Sequence, residues 1–235
     1  MLKKIIATVF ISVCTPGMTK LWAGGVEYIP PPPVYSGFYV EGNFGAAFRD
    51  WEEEGRVQIY LTLAQGGFQN GFGEFDNGQG GLLYGFDMGY QWTRLFAAEL
   101  GWYRLPRMQY SVPQGYVIPA DNTMTFRNWL AYIALKFNYP LYERLYVTAK
   151  LGAGYVDTRV KNSFIPVQGL PGRGDFWAPL FAFGLQYYFN WNWSISAQYM
   201  FVPGFTRVPQ DGMIRTVPSP HSNIVTVGVG YKAAL

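Results

Sequence analysis

Gly81-Leu-Leu-Tyr-Gly-Phe-Asp-Met-Gly-Tyr-Gln-Trp92 alternates without a slip. Leu82, Tyr84, Phe86, Met88, Tyr90 and Trp92 fall on one side of an extended chain, and Leu83, Gly85, Asp87, Gly89 and Gln91 on the other. Successive side chains of a strand point to opposite faces, so this period of two reads as a strand with two different environments. One face is bulky and aromatic from end to end. The other is small and nearly uncharged, as a narrow interior requires and a solvated surface does not.

Seven more stretches carry the same pattern. The first starts at Ser36, with Phe38, Val40, Phe44 and Phe48 opposed by Glu41, Asn43, Gly45 and Ala47. The others span 95–110, 123–138, 145–158, 176–189, 193–201 and 223–232. Alternation alone does not separate a soluble sandwich from a membrane barrel, since in both one face is apolar. The joints separate them. Those after the second, fourth and sixth stretches are short (93–94, 139–144, 190–192), while those after the first, third, fifth and seventh are longer, 50–80 being the longest. Strict alternation of short and long joints fits an up-and-down barrel with short periplasmic turns and long external loops; a Greek-key sandwich would mix them. Trp92, Phe96, Tyr139, Tyr142, Tyr146, Tyr187, Phe189, Trp191 and Trp193 gather at the short-turn ends as one interfacial girdle. The expected fold is therefore all-β, an eight-stranded antiparallel up-and-down transmembrane β-barrel.

Composition agrees. In 235 residues, 14% are charged and 19% aromatic, with 28 Gly and 16 Pro, which excludes disorder, a coiled coil and a helical array. Residues 1–23 read as a signal peptide: Lys3 and Lys4, an apolar core from Ile5 to Val13, then Leu21-Trp22-Ala23. The core is too short to cross a bilayer as a helix. The only cysteine, Cys14, lies inside the 1–23 segment, so the mature chain would have no thiol chemistry. Of 18 basic residues, Lys3, Lys4 and Lys20 leave with the signal, and the 15 that stay equal the 15 acids. A mature charge near zero removes the case for nucleic acid. Residues 24–35, with Pro30 to Pro33, form a stiff proline-rich periplasmic lead-in, and 36–235 the barrel.

With this architecture the chain resembles the small eight-stranded outer-membrane barrels that include the OmpA-like transmembrane domain and the opacity-type surface proteins. Thr226, Gly228 and Tyr231 match the polar, glycine and aromatic positions of the terminal-strand signal through which that family is thought to meet the outer-membrane assembly machinery. Ala233 stands at the second aromatic position and Ala234-Leu235 extend past it. The resemblance implies a bacterial outer-membrane location, and with no peptidoglycan-binding domain after the last stretch the chain is expected to be a barrel alone.

Candidate sites follow from which face each charge takes. Glu41, Asp87 and Glu99 share the interior with Lys136, Lys150 and Lys232, three against three, where an isolated charge is expensive and a paired one tolerable. Eight strands enclose a space that side chains can fill, so a salt-bridged plug is favoured over a pore. Arg104 and Arg127 take the lipid face near the external ends of the strands that carry them, where a long side chain reaches headgroups; bidentate contacts to lipopolysaccharide phosphate are the expected use. A local break in alternation near Pro106 is the competing reading.

His221 is the only histidine, which excludes multi-His metal sites. His221-Ser222-Asn223 loosely resembles the motif of outer-membrane lipid A deacylases, but there one residue separates histidine and serine. Adjacent residues on a strand point to opposite sides, so a polar loop-to-strand junction is preferred. Gly228 to Ala233 spells a dinucleotide-binding pattern with no helix to follow, and is rejected. Glu52, Glu53, Glu54, Glu74 and Asp76 lack EF-hand spacing and read as a solvated loop rather than a calcium site.

The expected function is that of a surface protein without catalysis or cofactor, structural or adhesin-like. Its external loops would meet a host or surface ligand through Trp51, Phe68, Phe72, Phe75, Tyr116, Phe164 and Phe205. A narrow porin-like channel for small solutes is the first alternative, and an envelope lipid-modifying enzyme using His221 the second.

Overall fold

The computed structural model describes residues 36–50, 79–111, 123–162, 173–190, 192–204 and 219–234. The segments expected as signal peptide and lead-in lie outside them, as do the acidic stretch, Trp191 of the expected girdle and the aromatics Trp51, Phe68, Phe72, Phe75, Tyr116, Phe164 and Phe205. Nine strands are described: β1 (Gly37–Asp50), β2 (Gln79–Gln91), β3 (Phe96–Arg104), β4 (Met108–Ser111), β5 (Thr123–Pro140), β6 (Leu145–Asn162), β7 (Arg173–Tyr188), β8 (Trp193–Val202) and β9 (His221–Ala234). Every neighbouring pair is antiparallel. The sheet closes: β1 pairs with both β2 and β9, and β3 also pairs with β5. Because β3 and β4 are two pieces of one stave, this is an eight-stranded barrel.

The split of the third stave has a local cause. Arg104 pairs with Trp129, Leu105 donates its amide to the Asn128 carbonyl at 3.2 Å, and Met108 pairs with Phe126. Between Leu105 and Met108 the stave therefore carries one residue more than β5, with Pro106 and Arg107 together opposing Arg127. Proline has no amide to give the ladder, and one extra residue is what a β-bulge accommodates. Alternation runs intact through Arg104 and breaks only after it.

Short turns are tied by their own side chains. Thr93 Oγ1 accepts the amides of Leu95 and Phe96 at 3.2 and 3.0 Å, and Asn190 Oδ1 those of Asn192 and Trp193 at 2.9 and 2.8 Å.

The outer wall carries large apolar side chains in the open: Leu82 is 71% exposed, Trp177 67% and Phe183 63%. Side chains of that size stand in the open on every long stave, as a lipid-facing surface requires. Tyr139 and Trp129 lie ten residues apart on β5, as do Tyr187 and Trp177 on β7. At about 3.4 Å per residue and a tilt of about 40°, ten residues rise about 26 Å, the height of a lipid-facing band. On the external side Trp129, Tyr155 and Trp177 form a continuous row, with ring centroids 5.6 and 5.4 Å apart.

Candidate functional site

The lumen is filled by two layers of different chemistry. In the short-turn half, Lys136 on β5 and Lys150 on β6 are direct cross-strand partners. Two ammonium groups so placed repel, and Glu99 on β3 resolves this by pairing with both, at 3.5 Å from Lys136 and in close contact with Lys150. Lys150 also reaches Asp87 on β2 at 3.3 Å. All four side chains are at least 95% buried.

Tyrosines complete the carboxylates, as buried charges demand. Tyr39 donates to Glu99 at 2.8 Å and Tyr103 to Asp87 at 2.8 Å. The Tyr132 hydroxyl sits 2.6 Å from Glu99 and 2.8 Å from Asp87, holding the two acids together. Asn43 donates to Asp87 at 3.1 Å, and Gln198 to the Tyr103 oxygen at 3.0 Å. Six strands are thus laced across the barrel axis. Gly101 makes room for this: it faces Asp87 and Tyr132 across the two ladders, and a methyl group there would overlap the Tyr132 ring and the Asp87 carboxylate.

The three-against-three pairing expected from the sequence is corrected in part. Asp87, Glu99, Lys136 and Lys150 meet; Glu41 instead accepts from Ser196 at 2.7 Å, with no ion pair to a described cation, and Lys232 donates to Gln91 at 2.9 Å. Glu41 lies on β1, separated by β2 and β3 from the strands that carry Lys136 and Lys150, with the glycines of β9 on its other side. At the periplasmic end Lys136, Lys232, Asn138, Gln186 and Ser194 line a chamber of about 10 Å³, on the order of one water molecule.

The external half of the lumen is apolar, contrary to the expectation of a uniformly small, polar interior. Leu83, Leu130, Leu180, Met200 and Ile224 are fully buried and Val202 nearly so. Above this layer Arg49 is also fully buried. It donates to Ser219 at 3.3 Å and, with the Asn128 amide turned to satisfy its neighbours, to Asn128 at 3.1 Å; its Nε has no partner and no described carboxylate pairs with it. Sequence reasoning missed Arg49 because it sits at the end of the first alternating stretch, next to a long loop.

Arg104 and Arg127 both stand on the outer face, half-buried. They do not stand alone. Arg127 is the direct partner of Arg159, and Arg159 of Arg173, while Arg107 opposes Arg127 across the bulge. Asp157, fully buried between exposed arginines, pairs with Arg159 at 3.5 Å and closely with Arg173.

His221 and Ser222 point to opposite sides: Ser222 is buried inward, while His221 stacks on Phe201 with centroids 5.9 Å apart and its Nδ1 accepts the Gly204 amide at 2.8 Å. On β9, Thr226 and Gly228 face inward and Tyr231 faces out against Trp193 at 5.1 Å.

Comparison with known proteins bears on what this wall sits in. Residues 35–232 match the family model of the outer membrane protein beta-barrel domain. Outer membrane protein A of Serratia marcescens is 29% identical over 168 residues, 71% of this chain and 43% of that protein. The chain thus spans less than half the length of that curated relative. The crystal structure of Neisserial surface protein A superposes with a TM-score of 0.51 at 14% identity, covering 84% of this chain and 99% of that one.

Proposed function

We propose, starting from the fact that this chain belongs to the outer membrane protein beta-barrel domain family and resides in the bacterial outer membrane, that it is a closed barrel serving as a surface-exposed structural and binding protein, not a channel. The observation that carries this is the double closure of the lumen, a laced ionic layer beneath a packed apolar one. An ion crossing would have to break the buried pairs and then traverse a dry layer of Leu, Met and Ile side chains, and both steps are costly. Catalysis is no part of this reading, since His221 is engaged by a backbone amide and faces away from Ser222.

Three partners follow on the same reading. The external loops meet a surface ligand. Thr226, Gly228 and Tyr231 of β9 present the terminal signal to the assembly machinery. Arg104 and Arg127 face outer-leaflet lipopolysaccharide.

Planar-bilayer recording of the refolded mature chain tests closure, with heat-modifiable gel mobility confirming that the barrel has formed. Electrical silence is expected. Steady ion-selective openings would refute closure and make the interior charges a filter.

A further inference from the structure

The arginines of the outer face form a row. Arg107, Arg127, Arg159 and Arg173 stand at matching register positions on four neighbouring staves, and Arg104 lies one step below, beside Trp129. Adjacent strands are about 4.8 Å apart, so the row packs four guanidiniums into about 15 Å. Like charges directly opposite on neighbouring strands destabilise a sheet.

Among the described residues, the only acids near the row are Asp157 and its cross-strand partner Asp175. Asp157 is already engaged by Arg159 and Arg173, whose side chains remain 63% and 57% exposed. Arg127 has no such partner, and its Nε is buried with no hydrogen-bond acceptor. The wall therefore holds an excess of fixed positive charge and an orphaned donor at one place.

That place is defined by the aromatic row. Arg127 lies two residues beyond Trp129, and Arg159 and Arg173 four residues beyond Tyr155 and Trp177. With the rise and tilt used above, this is about 5 to 10 Å outside the apolar band. Anionic headgroups occupy that level. A phosphate oxygen pair fits the planar fork of a guanidinium, which a point-charge amine does not offer.

From the excess charge, the orphaned Nε and the height, we infer that the row is a docking site for the phosphorylated diglucosamine headgroup of lipopolysaccharide, with Arg127 and Arg159 gripping one phosphate and Asp157 holding Arg159 and Arg173 in position. The inference rests on the outer-membrane placement above and adds Arg107, Arg159, Arg173 and Asp157 to the two arginines read from the sequence.

The test uses the full mature chain refolded into phosphatidylcholine nanodiscs and titrated with bisphosphorylated lipid A, followed by tryptophan fluorescence of the external aromatic row. Wild type should bind, and Arg127→Gln/Arg159→Gln should bind at least tenfold more weakly, both proteins showing heat-modifiable mobility. Arg127→Lys/Arg159→Lys keeps the charge and loses the fork; it should fold and bind with intermediate strength, so the inference stays testable if the Gln variant fails to fold. Equal binding of dephosphorylated lipid A would overturn it, since acyl chains alone would then suffice. Equal saturation by phosphatidylglycerol, or displacement by millimolar inorganic phosphate, would also overturn it by assigning the row to another anion. Bilayer conductance is independent of these outcomes: a conducting barrel that still binds lipid A would refute closure and leave this site standing.

Discussion

Lys150→Met removes the one ammonium that touches both buried carboxylates while keeping the length of the side chain. In the native barrel Lys150 neutralises Asp87 at 3.3 Å and contacts Glu99 closely. After substitution Glu99 keeps Lys136 at 3.5 Å, whereas Asp87 keeps only the neutral donors Tyr103, Tyr132 and Asn43. Breaking a buried pair by deleting one partner costs about 3–5 kcal/mol, because the other charge stays buried and uncompensated. Three hydroxyl and amide donors offset part of that, so a loss near 3 kcal/mol is expected. Lys150→Met/Asp87→Asn removes both charges and should recover at least about 1 kcal/mol relative to additivity, the coupling usual for contacting charged residues. Reversible urea unfolding in lipid vesicles, followed by tryptophan fluorescence, measures all four corners of the cycle. A single-variant loss below about 1 kcal/mol together with no coupling would refute the ionic layer as a structural brace. The single variant should also stay electrically silent, because the apolar layer above is untouched.

Two further outcomes probe parts that the ion pairs do not. Gly101→Val places a branched side chain where Tyr132 and Asp87 already lie, and should reduce the folded, heat-modifiable fraction after refolding several-fold; wild-type yield would show that Tyr132 has room to move. Arg49→Met exchanges a fully buried guanidinium lacking a described acid partner for an apolar side chain of similar length, and should raise the urea midpoint, by about 1 kcal/mol or more in stability; a fall would mean that Arg49 meets an acid from the loops.

The wall was legible because lipid demands one side of every stave to be apolar, and stretches such as 81–92 therefore alternate cleanly. The same signal fades where both faces are apolar. Trp129-Leu130-Ala131 and Tyr199-Met200-Phe201-Val202 show no period, so the apolar external half of the lumen, built from Leu130, Met200 and Val202, was not visible. Parity placed six charges inside but carried no depth or stagger, and stagger decides that Lys136 and Lys150 meet Glu99 while Glu41 meets Ser196. Pro106 signals a break in alternation close to Arg104; the bulge falls at Pro106 and Arg107, past the last residue of β3, and leaves Arg104 on the outer face.

One register produces two crowded rows of cations, and the barrel treats them differently. Inside, Lys136 stands opposite Lys150, and Glu99 from the next strand lies between them. Outside, Arg127 stands opposite Arg159 on the same two strands; Asp157 serves Arg159 and Arg173, and nothing described serves Arg127. Away from solvent, the facing lysines are balanced by carboxylates of the same chain, while Arg49 is met only by neutral groups among the described residues. On the proposed reading, anionic headgroups at the outer rim supply the missing acceptor, so an imbalance there costs little. On that reading the two rows divide the labour of the molecule: the interior charges brace a closed barrel, and Arg127, left without a described acid, is the exterior cation available to a ligand.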